Sequence, residues 1–225
     1  MFFIDLRNYE KLMEEFLMKT AVDFSASVEG SIDHEDRSEE YQAFVLESLS
    51  ERQYEFSVLY PHNFRSSFFI QLFSVFEHQI RKVSLQLAKS LNVEKKPLDK
   101  KGGCIVCKAR EVLEKLCGID FGALEESWKY LETMRKIRNV FVHHQGRISQ
   151  RDYHWEEIKD YIAKNNDLIS FKENIDEQEE GRSYYDEIPR HRFTILIKNS
   201  DFNRLYLDSI EAFFTAILRD SGVDW

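Results

Sequence analysis

The stretch that decides the fold runs Leu131-Glu-Thr-Met-Arg-Lys-Ile-Arg-Asn-Val-Phe-Val-His-His-Gln-Gly146. Placed on a helix, it separates an apolar face from a polar one. The apolar face carries Tyr130, Met134, Ile137 and Phe141, and the polar face carries Arg135, Asn139 and His143 at four-residue steps. The spacing therefore predicts an amphipathic helix with Arg138 beside its polar stripe and His144 at the edge of the core. Gly146 is expected to stop the helix.

The same stretch is cationic on an acidic chain, whose net charge is −9. Between residues 135 and 151 the only charged residues are Arg135, Lys136, Arg138, Arg147 and Arg151. This pattern indicates a localised anion-binding site. A pI near 5.4 argues against tight, non-specific coating of nucleic acid. An enzyme that contacts a few phosphates transiently is compatible with it.

Arg138-Asn139-x-x-x-His143, close to a helix end and followed by Gly146, resembles the signature of the HEPN superfamily. A phenylalanine-rich helix over 63–91, with Glu77 in its middle, resembles the first core helix of these domains. The resemblance implies an all-α fold, with this helix packed antiparallel to the motif helix. It also implies a metal-independent ribonuclease that acts on RNA as a homodimer, and a toxin or phage-defence effector as its setting.

The motif residues suit the cleavage of RNA by its own 2′-OH. His143 supplies an imidazole, which can act as base or acid, and Arg138 offers a permanent charge that matches phosphate oxygens. Asn139 can orient the imidazole or hold a phosphate oxygen. One histidine cannot easily make both proton transfers, so two facing copies of the motif are part of the hypothesis. Supporting or phosphate-binding roles are expected for Arg135, Glu77 and Arg147.

Glu77 has two interpretations. It can form an ion pair with Arg138 or Arg135 across the helix pair and so fix the arginine. Alternatively it pairs with Arg81, four residues further along its own helix.

With 225 residues, 8 Gly and 3 Pro, the chain favours an all-α helical bundle over an all-β fold. We expect about five to seven helices, with a small β-hairpin insertion near 168–197. The HEPN resemblance divides this single domain, 1–225, into an N-terminal helical extension, 1–60, and a core, 61–225. Pro61, directly after the extension, is expected to break or restart its second helix. Its candidate core positions are Tyr41, Phe44, Val45, Leu49 and Tyr54.

Other features narrow the function further. The lysine-rich segment 92–103 is either a solvated connection or a second phosphate-contacting loop. Cys104-x-x-Cys107 lacks the further ligands that a structural zinc site needs, so packing cysteines, no metal and no cofactor are expected. No apolar run is long enough to cross a membrane, and an odd cysteine count favours a reducing cytoplasm.

Two other functions remain open. The first is a non-catalytic HEPN-like module that binds a nucleotide or a protein, which the acidic pI fits. The second is a structural dimerisation protein. For a toxin, the antitoxin or regulator would be a separate protein, because the chain carries no partner domain of its own.

Overall fold

The computed structural model describes residues 2–31, 38–93, 96–99, 102–174 and 192–221. The helices are α1 (Phe2–Ser31), α2 (Glu39–Tyr54), α3 (Tyr60–Ser90), α4 (Lys96–Asp99), α5 (Ile105–Glu111), α6 (Phe121–His144), α7 (Trp155–Lys164) and α8 (Asp201–Ser221). Two π-helical segments, Glu55–Leu59 and Val112–Leu116, follow α2 and α5. The strands are β1 (Arg147–Ser149), β2 (Ile169–Asn174) and β3 (Arg192–Ile197). This architecture confirms the predicted helical bundle with a small β insertion.

The core is aromatic and lies where α3, α6 and α8 meet. Phe69 on α3 is fully buried, and its ring contacts Phe141 of α6 at 6.1 Å, Phe202 of α8 at 5.2 Å and Tyr206 of α8 at 5.3 Å. Edge-to-face contacts of this kind add to the free energy gained from burying apolar area. The contacts of α3 with α6 run in opposite order along the two helices, so the predicted antiparallel packing is confirmed.

The chain stays helical from α2 to α3, so of the two outcomes predicted for Pro61 a break does not occur, whereas the α-helical pattern does restart there. Tyr54, Leu59 and Tyr60 all keep right-handed helical backbone angles. The amide of Tyr60 bonds to the carbonyl of Glu55, five residues back, which is the π-helical pattern. Pro61 lies in the first turn of α3 and has no amide proton to donate, at the point where the π-helical pattern gives way to the α-helical one. The proline therefore coincides with a change in hydrogen-bond pattern rather than with a turn of the chain.

Helix α2 was predicted to contribute to the core, but it does not. No residue of α2 is buried. Tyr41, Phe44 and Tyr54 are exposed, and Val45 and Leu49 are half-buried. The reason is geometric, because α2 packs mainly against α1, which itself lies at the outside of the bundle. A periodic pattern of apolar residues shows which face of a helix is apolar, but it does not show that another element covers that face.

Ion pairs attach α1 to the bundle. Arg65 of α3 holds Glu14 of α1 through two hydrogen bonds of 2.7 Å, and both side chains are largely shielded from water. Arg204 of α8 lies 3.2 Å from the buried carboxylate of Glu10. The Arg65–Glu14 pair is both bidentate and shielded, so it is stronger than a surface ion pair and helps to fix the orientation of α1. The division into an extension, 1–60, and a core, 61–225, stays a prediction.

The three strands form an antiparallel sheet in the order β1, β3, β2. The predicted hairpin is the β2–β3 pair, in which Ile169 is opposite Ile197 and Phe171 is opposite Ile195. His62 of α3 ties this sheet to the bundle, because its Nδ1 accepts the amide of Ile197 at 3.3 Å and its ring lies 6.3 Å from that of Phe141. A ring nitrogen that accepts a hydrogen bond carries no proton, so the packed form of His62 is neutral.

This histidine should make stability depend on pH. Burial lowers the pKa of His62 below its usual value, and the positive charge of Arg65 lowers it further. As the pH falls through about 6.5, His62 becomes protonated in the unfolded chain but stays neutral in the folded chain. The free energy of unfolding should therefore fall as the medium is acidified below that pH, and His62→Asn should weaken this slope. The asparagine oxygen can accept the Ile197 amide and does not titrate.

The measurement is urea denaturation of both proteins between pH 5 and pH 8, with the difference between them plotted against pH. His78→Asn, at an exposed position of the same helix, controls for the exchange itself. Parallel curves for wild type and His62→Asn would contradict the assignment.

Candidate active site

The predicted motif lies in the last turns of α6. The helix ends at His144, and Gln145 takes the left-handed conformation, with φ 55°. The predicted stop thus begins one residue before Gly146, whose amide bonds back to the carbonyl of Val140 at 3.1 Å. A Cβ at Gly146 would lie 3.1 Å from the ring of Phe141 and the backbone there has φ +80°, so only glycine fits without strain. This packed helix end fixes where His143 projects.

Arg138 is held by contacts from two helices. Its Nη2 lies 3.6 Å from Oε2 of Glu77 on α3, its Nη1 donates to Oδ1 of Asn139 at 3.1 Å, and its guanidinium lies 5.2 Å from the centre of the Phe73 ring. The exposed fraction is 20% for the Arg138 side chain and 29% for that of Glu77. The first interpretation of Glu77 therefore describes this structure, and no pair between Glu77 and Arg81 forms within the described part of the chain. The guanidinium is oriented while part of it stays accessible.

His143 is exposed, and so is His144, which the helical pattern predicts at the border of the core. Their rings lie 6.4 Å apart. Within the ranges that the structure covers, neither imidazole makes a hydrogen bond. Asn139 lies one turn before His143 on the same face of α6 and is half-buried. The predicted His143 is therefore accessible to a ligand or to a second copy of the chain.

Most of the cationic side chains of the patch between residues 135 and 151 form ion pairs with carboxylates in the folded chain. Arg135 pairs with Glu132 at 2.9 Å, Lys136 pairs with Glu157 of α7, and Arg138 pairs with Glu77. Every one of these carboxylates lies outside the stretch 135–151.

Two cations of the patch keep a free charge. Arg147, at the start of β1, and Arg151, just after it, are exposed and have no carboxylate partner among the described residues. Of the predicted phosphate-binding residues, Arg147 is thus the more available, and Arg135 is already engaged.

The sequence analysis did not select Tyr206, which lies beneath the motif. Tyr206 is fully buried on α8, and its ring stacks on Phe73 at 6.5 Å. Burial raises the pKa of Tyr206 well above its usual value, as do Tyr130 and the carboxylate of Glu77, whereas Arg138 lowers it. Its position, four residues after Phe202 and four before Ile210, is the signal that could have placed it on the buried face.

The other candidates carry less chemistry. Cys104 begins α5, where its Sγ accepts the amide of Cys107 at 3.2 Å, so one of the two thiols caps a helix. No three His, Cys, Asp or Glu side chains of the described residues come together to hold a metal ion. In the segment 92–103, residues 94–95 and 100–101 lie outside the described ranges, and Leu98 packs into the core. A phosphate-contacting role for this segment stays a prediction.

Within the described ranges, every helix is too short or too polar to span a bilayer. Comparisons of the chain with protein-family models, with curated proteins and with solved structures found no match. The resemblance to HEPN domains therefore rests on Arg138, Asn139 and His143 of α6 and on the phenylalanine-rich helix α3 with Glu77.

Proposed function

We propose that the protein is a metal-independent endoribonuclease of the HEPN type. One observation carries the proposal, namely an exposed His143 one turn after Asn139, with Arg138 held against Asn139 by Glu77. The exposed imidazole can reach a substrate, and the oriented guanidinium can meet a phosphate. Both are what cleavage of RNA by its 2′-OH requires.

The reaction breaks the bond from phosphorus to the 5′-oxygen of the next nucleotide. A base removes the proton of the 2′-OH, the 2′-oxygen attacks the phosphorus, and an acid returns a proton to the leaving 5′-oxygen. The products are a 2′,3′-cyclic phosphate and a 5′-hydroxyl. His143 is the proton-transfer group, and Arg138 neutralises the charge that builds up on the phosphate oxygens. Asn139 positions both, and Arg147 supplies a further phosphate contact.

The active form is a homodimer in this proposal. Each chain offers one His143, and the reaction needs an acid and a base at the same time. Two copies related by a two-fold axis would bring two imidazoles and two guanidinium groups to one cleft. The proposed setting is the cytoplasm, where such an enzyme would act as a toxin or phage-defence effector and be restrained by a separate antitoxin or regulator.

The test is to incubate purified full-length protein with single-stranded RNA in excess EDTA and to identify the new ends. The expected products carry 2′,3′-cyclic phosphate and 5′-hydroxyl ends. RNA methylated at every 2′-oxygen should stay intact, because its nucleophile is blocked. Cleavage that needs a divalent cation, or that leaves 3′-hydroxyl ends, would contradict the proposal. Sedimentation of the same protein should give a dimer.

A second candidate is a non-catalytic module that binds a nucleotide or a protein. The observation that favours it is the pairing of Arg135, Lys136 and Arg138 with carboxylates, which leaves little free positive charge for a long RNA. This candidate predicts saturable binding of a ligand without any cut in RNA. Absence of cleavage by the wild-type chain, freed of any co-purifying partner, would favour it.

A further inference from the structure

Two unsatisfied polar groups lie beneath the candidate site. The Nε of Arg138 and the hydroxyl of Tyr206 are both shielded from water, and neither has a hydrogen-bond partner among the described residues. Most buried polar groups in folded proteins are paired, so each unpaired one calls for an explanation. The other nitrogens of Arg138 already contact Asn139 and Glu77.

The two groups are chemically complementary and share a neighbour. The guanidinium of Arg138 and the ring of Tyr206 both lie against Phe73, at 5.2 Å and 6.5 Å from its centre. An Nε–H can only donate, whereas a phenol both accepts and donates. The charges of Glu77 and Arg138 also act on the Tyr206 hydroxyl, which keeps its proton at neutral pH because burial and Glu77 raise its pKa.

We propose that Tyr206 is a positioning residue: a rotation of these side chains from the described positions, in which neither group is bonded, lets its hydroxyl accept a hydrogen bond from Nε of Arg138 and donate one to the carboxylate of Glu77. This inference rests on the proposed function for its catalytic consequence, though not for its structural content. The phenol would hold the inner edge of the guanidinium from α8, while Glu77 holds it from α3. Each terminal nitrogen of Arg138 would then keep its second N–H, beyond the one directed at Asn139 or Glu77, to donate to a phosphate.

The distinguishing variant is Tyr206→Phe, which keeps the ring in the core and removes only the hydroxyl. Its matched control is Tyr161→Phe, because the Tyr161 hydroxyl is also shielded from water, and its ring contacts Tyr130 at 6.2 Å rather than Phe73. Urea denaturation of both variants would establish that each is folded. Any difference between them then reports on the hydroxyl beside Arg138 and not on the general loss of a buried phenol.

The first measurement does not depend on catalysis. Hydrogen exchange of the Arg138 Nε–H, followed by NMR of protein labelled with ¹⁵N at arginine, should be slow in the wild type and in Tyr161→Phe. It should speed up about tenfold or more in Tyr206→Phe, because the hydrogen bond that protects the proton is lost. The resonance is assigned with Arg138→Lys, which removes it.

The second measurement is the rate of RNA cleavage. Tyr206→Phe should lower kcat about tenfold or more with little change in KM, since a misoriented arginine weakens transition-state contacts. Unchanged exchange in Tyr206→Phe, or equal acceleration in both variants, would overturn the inference. If the wild type cuts no RNA, the proposed ribonuclease fails, and the exchange experiment alone decides the role of Tyr206.

Discussion

Replacement of His143 by alanine is expected to lower the rate of RNA cleavage by about 10²–10⁴-fold, the usual contribution of a positioned acid–base group. The side chain is exposed and makes no hydrogen bond within the described residues, so its removal should leave the fold intact. The measurement is the single-turnover rate on a short RNA in EDTA, beside a urea denaturation curve that reports stability. A variant that loses activity without losing stability locates the effect in the chemistry.

The neighbouring histidine supplies the matched control. His144 is equally exposed and lies 6.4 Å from His143, ring centre to ring centre. His144→Ala should therefore cut at close to the wild-type rate. Full activity in His143→Ala would remove His143 from the mechanism.

Mixing the two chains tests the shared cleft. If both copies of His143 are needed in one dimer, adding an equal amount of His143→Ala chain should reduce the wild-type activity to about half after subunit exchange. An activity that stays unchanged on mixing would show that each chain works alone.

Phe69→Ala should give the largest loss of stability, about 3–5 kcal/mol, as for other fully buried aromatic residues truncated to alanine. Its ring is fully buried and touches rings from both α6 and α8, so the cavity would open at the junction of three helices. Because whole domains are stable by only about 5–15 kcal/mol, such a loss would be visible in any denaturation experiment. The measurement is the free energy of unfolding from urea titration followed by tryptophan fluorescence.

Phe44→Ala is the counterpart on the surface. The same chemical change is made on α2, where Phe44 is 67% exposed. Its effect should stay below about 1 kcal/mol, because little buried area is lost. A large loss at Phe44 would mean that another surface covers α2 in solution. Equal effects at Phe44 and Phe69 would contradict the core described for α3, α6 and α8.

Hydrophobic periodicity was enough to predict most of the helices. The stripe that includes Met134, Ile137 and Phe141 is buried on α6 as expected. The pattern failed where burial depends on a neighbour that is distant in sequence. Phe44 on α2 was predicted to be in the core and His144 at the border of the core, and both are exposed. Strand β1 was not predicted, because three residues are too few to show an alternation of apolar and polar side chains. It forms by pairing with the edge of β3.

The site divides in the same way. Spacing along one helix placed Arg138, Asn139 and His143 together, and the mid-helix Glu77 was a candidate partner for the arginine. Sequence spacing could not predict the ion pair between Lys136 and Glu157, because Glu157 lies on another helix. Nor could it predict that the hydroxyl of Tyr206 lies beneath the site, because sequence separation does not show which buried polar groups are neighbours.

The pairing of three of the five motif cations with carboxylates has a consequence for how RNA would be held. Affinity that comes from charge neutralisation reflects the release of counterions from the nucleic acid, and it weakens steeply as ionic strength rises. Among the described residues Arg147 and Arg151 are the cations of this stretch without a carboxylate partner, so each chain would release only about two such ions and contribute about −1.4 to the slope of log affinity against log salt. A ribonuclease built in this way would lose little of its RNA affinity as the ionic strength rises.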